Sequence, residues 1–137
     1  MAEKIVNKML ADDAFSQWLG VEIFEIKPGF AKIKMEIRPD MNNGFNITHG
    51  GITYSLADSA FAFASNSHGR VAVAMETNIS YLKKVTISDS LTAIAEELSL
   101  GNTIGVYNVS VTDQNDSKIA KFRGTVFRTK EKHIKSE

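Results

Sequence analysis

Cysteine is absent from this sequence of 137 residues. Its absence excludes disulfide bonds, a thiolate nucleophile and zinc sites built from cysteine ligands. Histidine is scarce as well, and three scattered residues do not predict a metal cage. Any chemistry in this chain therefore has to come from carboxylates, hydroxyls, histidine or backbone dipoles.

The sequence also lacks an excess of charge, because 16 Lys and Arg residues balance 16 Asp and Glu residues. Without a net positive field or a long block of like charges, we expect no nucleic-acid partner. No run approaches the roughly 18 apolar residues that a membrane span needs, and the N-terminus lacks the apolar stretch of a signal peptide. These absences predict a cytoplasmic protein with no membrane segment.

The hydrophobic share of 43% is enough for a single packed core in a chain of this length. Residues 1–137 are therefore predicted to form one domain, and no internal repeat or linker interrupts them. The last eight residues, 130–137, are mostly charged, and we expect them to be frayed.

Hydrophobic spacing predicts a short helix and a hairpin in the first third of the chain. Apolar residues share one helical face between about 3 and 19, with Gly20 as the stop: Ile5, Met9, Leu10, Ala14 and Trp18. Within residues 30–38, apolar and charged side chains alternate strictly from Ala31 onward, which indicates a strand with one face in water. Residues 21–27 are predicted to pair with it through Pro28-Gly29, which suits a turn.

The segment from about Gly51 to Asn66 carries apolar side chains on nearly every helical face, which is typical of a buried helix. Residues 71–129 are rich in Val, Ile, Thr and Tyr and are interrupted by polar turns near residues 88, 101 and 115. We predict about four antiparallel strands there, because the connections are too short for helical crossovers. The predicted order is a helix, a hairpin, a buried helix and a meander, which is an α+β arrangement.

Asp58 lies in the most apolar part of the buried helix, where an ionised carboxylate without partners is costly. It either occupies a narrow exposed stripe, or bonds to a local hydroxyl such as Tyr54 or Ser55, or has a functional role. At the start of the same helix, His49-Gly50-Gly51 offers free backbone N–H groups at the positive end of the dipole. That is a potential oxyanion site, although two glycines also serve as an ordinary turn and His49 as an ordinary cap.

The spacing of Gly50 and Asp58 predicts a site shared between subunits. Eight positions at about 1.5 Å per residue separate them by roughly 12 Å along one helix, which is too far for one acyl group to meet both. Two antiparallel copies of the helix across a twofold axis would bring Gly50 of one subunit to Asp58 of its partner. A homodimer is therefore the predicted catalytic unit.

These residues form the pattern N-G-x₄-H-G-G-x₄-L-A-D, from Asn43 to Asp58. The pattern resembles the hotdog-fold acyl-CoA thioesterases, most closely the PaaI-type subfamily of phenylacetic acid degradation. The similarity covers nearly the whole chain, including residues 58–66, 78–82, 103–107 and 122–124. It implies the hotdog fold, in which one long central helix is wrapped by a curved antiparallel sheet.

The resemblance also implies roles for individual residues. Asp58 would act as general base or nucleophile toward the thioester carbonyl, the Gly50 N–H of the neighbouring subunit would polarise that carbonyl, and Asn43 would position water or the acyl group. His49 and Gly51 would support binding, and Thr77 is the nearest hydroxyl to a serine position of some relatives. The basic residues proposed for the CoA phosphates are Lys83, Lys84, Arg123 and, less directly, Arg128.

The expected reaction is hydrolysis of an aryl-acetyl or medium-chain acyl-CoA to the free acid and CoA, without a metal or cofactor, by a homotetramer assembled from two dimers. Two alternatives use the same fold. One is a non-catalytic acyl-CoA binding or sensor protein, although the roughly 20 residues before the first strand cannot hold a helix-turn-helix pair and its linker. The other is a dehydratase that would use His49 and Asp58.

Overall fold

The computed structural model describes residues 1–135. It contains three α-helices, one 3₁₀ turn and six strands, and one antiparallel sheet includes all six strands. The elements in chain order are α1 (Ala2–Asp12), α2 (Ala14–Leu19), β1 (Glu22–Lys27), β2 (Phe30–Glu36), the 3₁₀ turn (Pro39–Met41), α3 (Gly50–Asn66), β3 (Arg70–Tyr81), β4 (Ser90–Leu100), β5 (Ile104–Thr112) and β6 (Lys118–Lys132).

The strand order in the sheet is β1-β2-β4-β5-β6-β3, and every neighbouring pair is antiparallel. The predicted number of strands after the central helix is therefore confirmed. The predicted meander is correct only for β4, β5 and β6. The strand β3 pairs with β6 instead of β4, so β1 and β3 form the two edges of the sheet.

The helix α3 lies against one face of this sheet and contacts β2 to β6. Its apolar residues are buried on several sides, as the sequence predicts. The helix and the sheet approach each other closely at Gly124 on β6, where a Cβ atom would lie 2.5 Å from Cζ of Phe61. The Phe61 ring also packs at 5.5 Å from the ring of Phe122 and at 6.0 Å from that of Tyr107. A central helix on an antiparallel sheet is the predicted hotdog arrangement.

The N-terminal segment differs from the single predicted helix. It breaks at Asp13, whose carboxylate accepts a hydrogen bond from the Ser16 N–H at 3.0 Å and so caps α2. Asp side chains favour such caps because they bond to the free N–H groups of a helix start. The break also alters the predicted apolar face, since Ile5 is buried while Ala14 and Trp18 are exposed. The predicted stop at Gly20 is confirmed by its left-handed backbone, with φ of 83°.

The C-terminal end of α3 is fixed to both β3 and the end of β6. The Asn66 side-chain amide exchanges hydrogen bonds with the Ala72 backbone, and the His133 Nε2 atom bonds to Oδ1 of the same amide at 2.7 Å. The prediction of a frayed tail over residues 130–137 is therefore wrong for its first part, since β6 continues through Lys132. Ser136 and Glu137 lie outside the described residues. No helix in the described chain is long and apolar enough to span a membrane.

Candidate active site

A cleft of about 360 Å³ opens at the N-terminal end of α3. It lies between the loop that precedes α3 and the segment that follows β3. Four of the residues proposed from the sequence line it: Asn43, Gly50, Lys83 and Lys84. The structure therefore brings together groups that are up to 41 positions apart in the chain, counted from Asn43 to Lys84.

The two glycines at the start of α3 have different roles. The Nδ1 atom of His49 accepts a hydrogen bond from the Gly51 N–H at 2.8 Å, so His49 is the N-cap of the helix. None of the hydrogen bonds among residues 1–135 uses the Gly50 N–H. The first N–H groups of a helix have no intrahelical acceptor. Gly50 therefore presents a free donor at the positive end of the α3 dipole.

The side-chain amide of Asn43 is oriented by its own loop. Its Oδ1 atom accepts hydrogen bonds from the backbone N–H of Phe45 at 2.8 Å and of Ile47 at 3.4 Å. The loop is in turn attached to the rest of the fold by the Thr48 N–H, which donates to the Val85 carbonyl at 2.9 Å. With Oδ1 occupied, the Nδ2 group of Asn43 is the part of the amide available to the cleft. It is a donor, as is the Gly50 N–H.

The wall of the cleft carries further polar side chains, from Thr48, Lys83 and Lys84. Thr48 is 6% exposed, and its hydroxyl has no hydrogen-bond partner in the described part of the chain. Lys83 pairs with the buried carboxylate of Asp113 at 3.3 Å, whereas Lys84 is exposed. Lys84 is therefore better placed than Lys83 to offer its ammonium group to an anion.

Asp58 lies at the middle of α3, half-buried, and away from the cleft of its own subunit. Tyr54 and Ser55 do not bond to it, because Tyr54 pairs with Thr77 and Ser55 donates to the Gly51 carbonyl. Burial raises the pKa of Asp58 above its ordinary value, and the negative charge of Asp13 raises it further. The carboxylate is consequently a stronger base than an exposed aspartate.

The neighbourhood of Asp58 includes an ordered polar chain from α2. The Ser16 hydroxyl bonds to Asp13 Oδ2 at 2.5 Å and to the hydroxyl of Ser59, the residue after Asp58, at 2.8 Å. This contact holds Asp13 close to the middle of α3. Asp13 was not predicted from the sequence, although Asp is among the residues that favour the N-cap position of a helix.

His49 and Gly51, which bond to each other at the start of α3, do not line this cleft. Three more of the proposed binding residues are not in it. The Thr77 hydroxyl is engaged by Tyr54, so it is not free to take the place of the serine of some relatives. Arg123 is exposed between the buried residues Phe122 and Gly124, and strand alternation therefore places it on the sheet face away from α3. Arg128 lines a separate groove, together with Arg70 and Asn102. In one subunit, none of these three contacts the Gly50 donor.

Tyr81 is a cleft residue that was not singled out from the sequence. Its phenol donates to the Gly50 carbonyl at 3.0 Å, and a Cβ atom on Gly50 would lie 3.2 Å from Cζ of the ring. The residue appears in the sequence only as part of a Tyr-Leu pair near the end of a strand. Its contact with α3 depends on the position of β3 in the sheet, which local patterns do not determine.

Comparison with known proteins identifies the family. The model of the thioesterase superfamily matches residues 45–120, which include Gly50, Asp58 and Tyr81. The chain belongs to the thioesterase superfamily. This thioesterase is 40% identical to a putative esterase of Archaeoglobus fulgidus over 131 residues, which are 96% of this chain and 85% of that protein.

Two further relatives are informative about the substrate class. The thioesterase is 39% identical over 122 residues to the acyl-coenzyme A thioesterase PaaI of Escherichia coli, covering 89% of this chain and 87% of the relative. The solved structure of the E. coli PaaI protein superposes with a TM-score of 0.93 over 96% of this chain and 95% of that one, at 37% identity. A Streptococcus mutans protein, solved bound to acetyl-CoA, superposes with a TM-score of 0.79 at 28% identity over 82% and 90% of the two chains.

The family assignment makes this protein a thioester hydrolase of the hotdog fold. Hydrolysis of a thioester creates negative charge on the carbonyl oxygen, and donors fixed in advance stabilise such charge. The free N–H of Gly50 and the Asn43 amide are donors of this kind. Within residues 1–135, no group of three or more His, Cys, Asp or Glu side chains is arranged to hold a metal ion.

Proposed function

We propose that this thioesterase hydrolyses acyl-CoA, with Gly50 and Asn43 of one subunit and Asp58 of its partner at one active site. The observation that carries the proposal is the free Gly50 N–H, at a cleft that also contains Asn43 and Lys84. Two relatives support the substrate class. One is named an acyl-CoA thioesterase, and the other was solved with acetyl-CoA bound.

In this proposal the thioester carbonyl oxygen accepts hydrogen bonds from the Gly50 N–H and the Asn43 Nδ2 group. Asp58 of the partner takes a proton from water while the water oxygen attacks the carbonyl carbon. The tetrahedral intermediate then collapses, the C–S bond breaks, and the departing CoA thiolate takes up the proton that Asp58 received from water. Removing one oxyanion donor typically costs about 10²–10³ in rate, and a positioned base contributes about 10²–10⁴.

Direct attack by Asp58 on the carbonyl, to form an anhydride, uses the same residues and is the alternative route. The raised pKa of Asp58 serves either route, because it makes the carboxylate both a stronger base and a stronger nucleophile. Neither route requires a metal or a cofactor, since CoA is part of the substrate.

The twofold arrangement is supported by the open edge of the sheet. β3 has 12 residues and an unpaired edge, and its side chains Val73 and Met75 are 50% and 58% exposed. A long apolar edge strand is normally covered. Antiparallel pairing of two β3 strands across a twofold axis would extend the sheet and set the two α3 helices side by side in opposite directions. We extend the proposal to a homotetramer of two such dimers located in the cytoplasm.

For the substrate we propose an aryl-acetyl thioester, with medium-chain acyl groups as the second class. The related E. coli PaaI protein comes from the phenylacetic acid degradation operon of that organism, which supports an aryl-acetyl group. Lys84 is the proposed contact for a CoA phosphate, because its exposed ammonium group lies at the cleft. Lys83, Thr77 and Arg123 have weaker support, since the first two have partners and the third faces away from α3.

The test is hydrolysis of an acyl-CoA panel by the purified protein, followed through release of the CoA thiol. The panel should include phenylacetyl, hydroxyphenylacetyl, medium-chain and enoyl thioesters. Addition of water to the enoyl group would indicate a dehydratase, and binding without turnover would indicate a sensor. Asp58→Asn should lower kcat by at least about 10²-fold while the assembly remains folded. Activity within about threefold of the parent would exclude Asp58 from the mechanism.

A further inference from the structure

The peptide group between Gly50 and Gly51 is held at both of its polar atoms. Its carbonyl oxygen accepts the Tyr81 phenol at 3.0 Å, and its N–H donates to His49 Nδ1 at 2.8 Å. The two partners come from different parts of the chain, since His49 is the helix cap and Tyr81 ends β3. The first peptide of α3 is therefore attached both to its own loop and to the sheet.

Gly50 needs such support because glycine has no Cβ atom and visits many backbone conformations. Its N–H belongs to the preceding peptide, and the direction of that N–H depends on the φ and ψ angles of Gly50 and His49. The Tyr81 ring restricts these angles in a second way, since it occupies the space next to the Gly50 Cα atom at 3.2 to 3.4 Å from a Cβ position. The Tyr81 side chain thus holds the Gly50 carbonyl by a hydrogen bond and packs its ring beside the Gly50 Cα atom.

We infer that Tyr81 is a positioning residue that orients the Gly50 N–H toward the thioester carbonyl. This inference rests on the proposed function of Gly50 and goes beyond it. Tyr81 acts through its hydrogen bond to the Gly50 carbonyl, and it stabilises the transition state by holding the donor in place. A preorganised donor needs little reorganisation as charge develops, which is the source of its catalytic effect.

The phenol is suited to this role over the working pH range. Partial burial raises the pKa of Tyr81 above its ordinary value, and the neighbouring Tyr54 raises it further. The hydroxyl consequently stays protonated near neutral pH and keeps donating to Gly50. The bond would be lost on ionisation, which lies at more alkaline pH than for a free tyrosine.

The variant Tyr81→Phe removes the hydrogen bond and keeps the ring against Gly50. We expect kcat to fall about tenfold and KM to stay within about twofold, because a loosely held donor loses part of the roughly 10²–10³ that a fixed donor supplies. The matched control is Phe24→Leu on β1, since Phe24 is 53% exposed, as is Tyr81, and lies outside the cleft. The control should retain the parental kcat.

A spectroscopic measurement separates positioning from general stability. In an Asp58→Asn background, which slows turnover, the carbonyl stretch of a bound thioester reports its hydrogen bonds directly. Addition of Tyr81→Phe should move that stretch toward its frequency in solution, while the melting temperature remains close to that of Asp58→Asn alone. A structural role alone would lower the melting temperature and leave the stretch of the remaining folded protein unchanged.

The outcomes are distinguishable from failure of the proposed function. If the parent does not hydrolyse any acyl-CoA, or if Asp58→Asn is fully active, the proposed function fails first. If the parent is active and depends on Asp58, an unchanged kcat in Tyr81→Phe overturns the positioning role. An equal loss in Phe24→Leu, or an unmoved carbonyl stretch, overturns it as well.

Discussion

Two inactive variants should restore each other if the active site is shared between subunits. The first variant is Asp58→Asn, which removes the base. The second is Gly50→Val, which closes the cleft at the N-terminus of α3. Even a methyl group on Gly50 would lie 3.2 Å from Cζ of Tyr81, and the larger valine side chain would have to displace that ring within the cleft. The backbone of Gly50 has a negative φ, so valine introduces no left-handed strain.

The size of the recovery follows from the geometry. A mixed dimer has one site with an intact Gly50 and an intact Asp58, and a second site in which both are altered. Random exchange of equal amounts makes half of the dimers mixed, and half of their sites are intact. The pool should therefore recover about one quarter of the parental activity, whether or not the dimers pair further into tetramers.

The assay compares the thiol released by each variant alone with that released by the pool after refolding together. Each variant alone should retain at most about one hundredth of the parental rate. The matched control is a pool of Asp58→Asn with Asp58→Ala, in which every site lacks the base and no recovery is expected. Mass spectrometry under native conditions confirms that subunits have exchanged.

The expected recovery depends on the separation of roughly 12 Å between Gly50 and Asp58 within one helix. If subunits exchange, both variants remain folded and no activity returns, then the two groups act within one chain. Recovery well above about one quarter would also contradict the model, because no more than that share of the sites can be intact.

Three further outcomes are expected. Asp13→Asn should move the acidic limb of the kcat/KM profile to lower pH, because the negative charge of Asp13 raises the pKa of Asp58 and the variant removes that charge. A series of rates measured against pH tests this shift. A shift to higher pH, or no shift, would contradict the prediction. Gly124→Ala should lower the free energy of unfolding, measured in urea, by about 1–3 kcal/mol, because the added Cβ would lie 2.5 Å from Phe61. The control Gly44→Ala meets no atom within 4 Å, and it should change that free energy by no more than about 0.5 kcal/mol. Hydrolysis should survive exhaustive chelation, and a loss that added metal restores would refute the metal-free mechanism.

Local periodicity was sufficient where a segment has one buried face. The alternation in β2 predicts that Ala31, Ile33 and Met35 face the core, and the structure leaves each of them at most 2% exposed. The helix α3 is likewise predicted to be buried, because no polar face interrupts its apolar residues. These predictions succeed because side-chain direction follows directly from strand and helix geometry.

Pairing between distant strands could not be predicted from these patterns. β3 is followed along the chain by β4, yet it pairs with β6 and forms an edge of the sheet. The local sequences of β3 and β4 are both compatible with strands, and they do not indicate which of the two takes an edge position. The break at Asp13 was missed for another reason, since the carboxylate competes with the backbone for helical N–H groups.

The residues of the candidate site likewise differ in whether local sequence patterns predict them. Asn43 and Gly50 could be predicted because they occur in one short motif, and the structure places both in one cleft. Tyr81 and Asp13 reach α3 only through the folding of β3 and α2 against it.

The separation of Gly50 and Asp58 along one helix has a chemical reason. A carboxylate in the first turn of α3 would be attracted to the free N–H groups there and would cap them, as the His49 imidazole caps Gly51. The helix dipole would also lower the pKa of that carboxylate and make it a weaker base. The mid-helix position of Asp58 leaves the Gly50 N–H unoccupied, and burial at that position raises the pKa of the carboxyl. In the proposed dimer, base and donor face each other only across the subunit boundary, where the thioester lies between them.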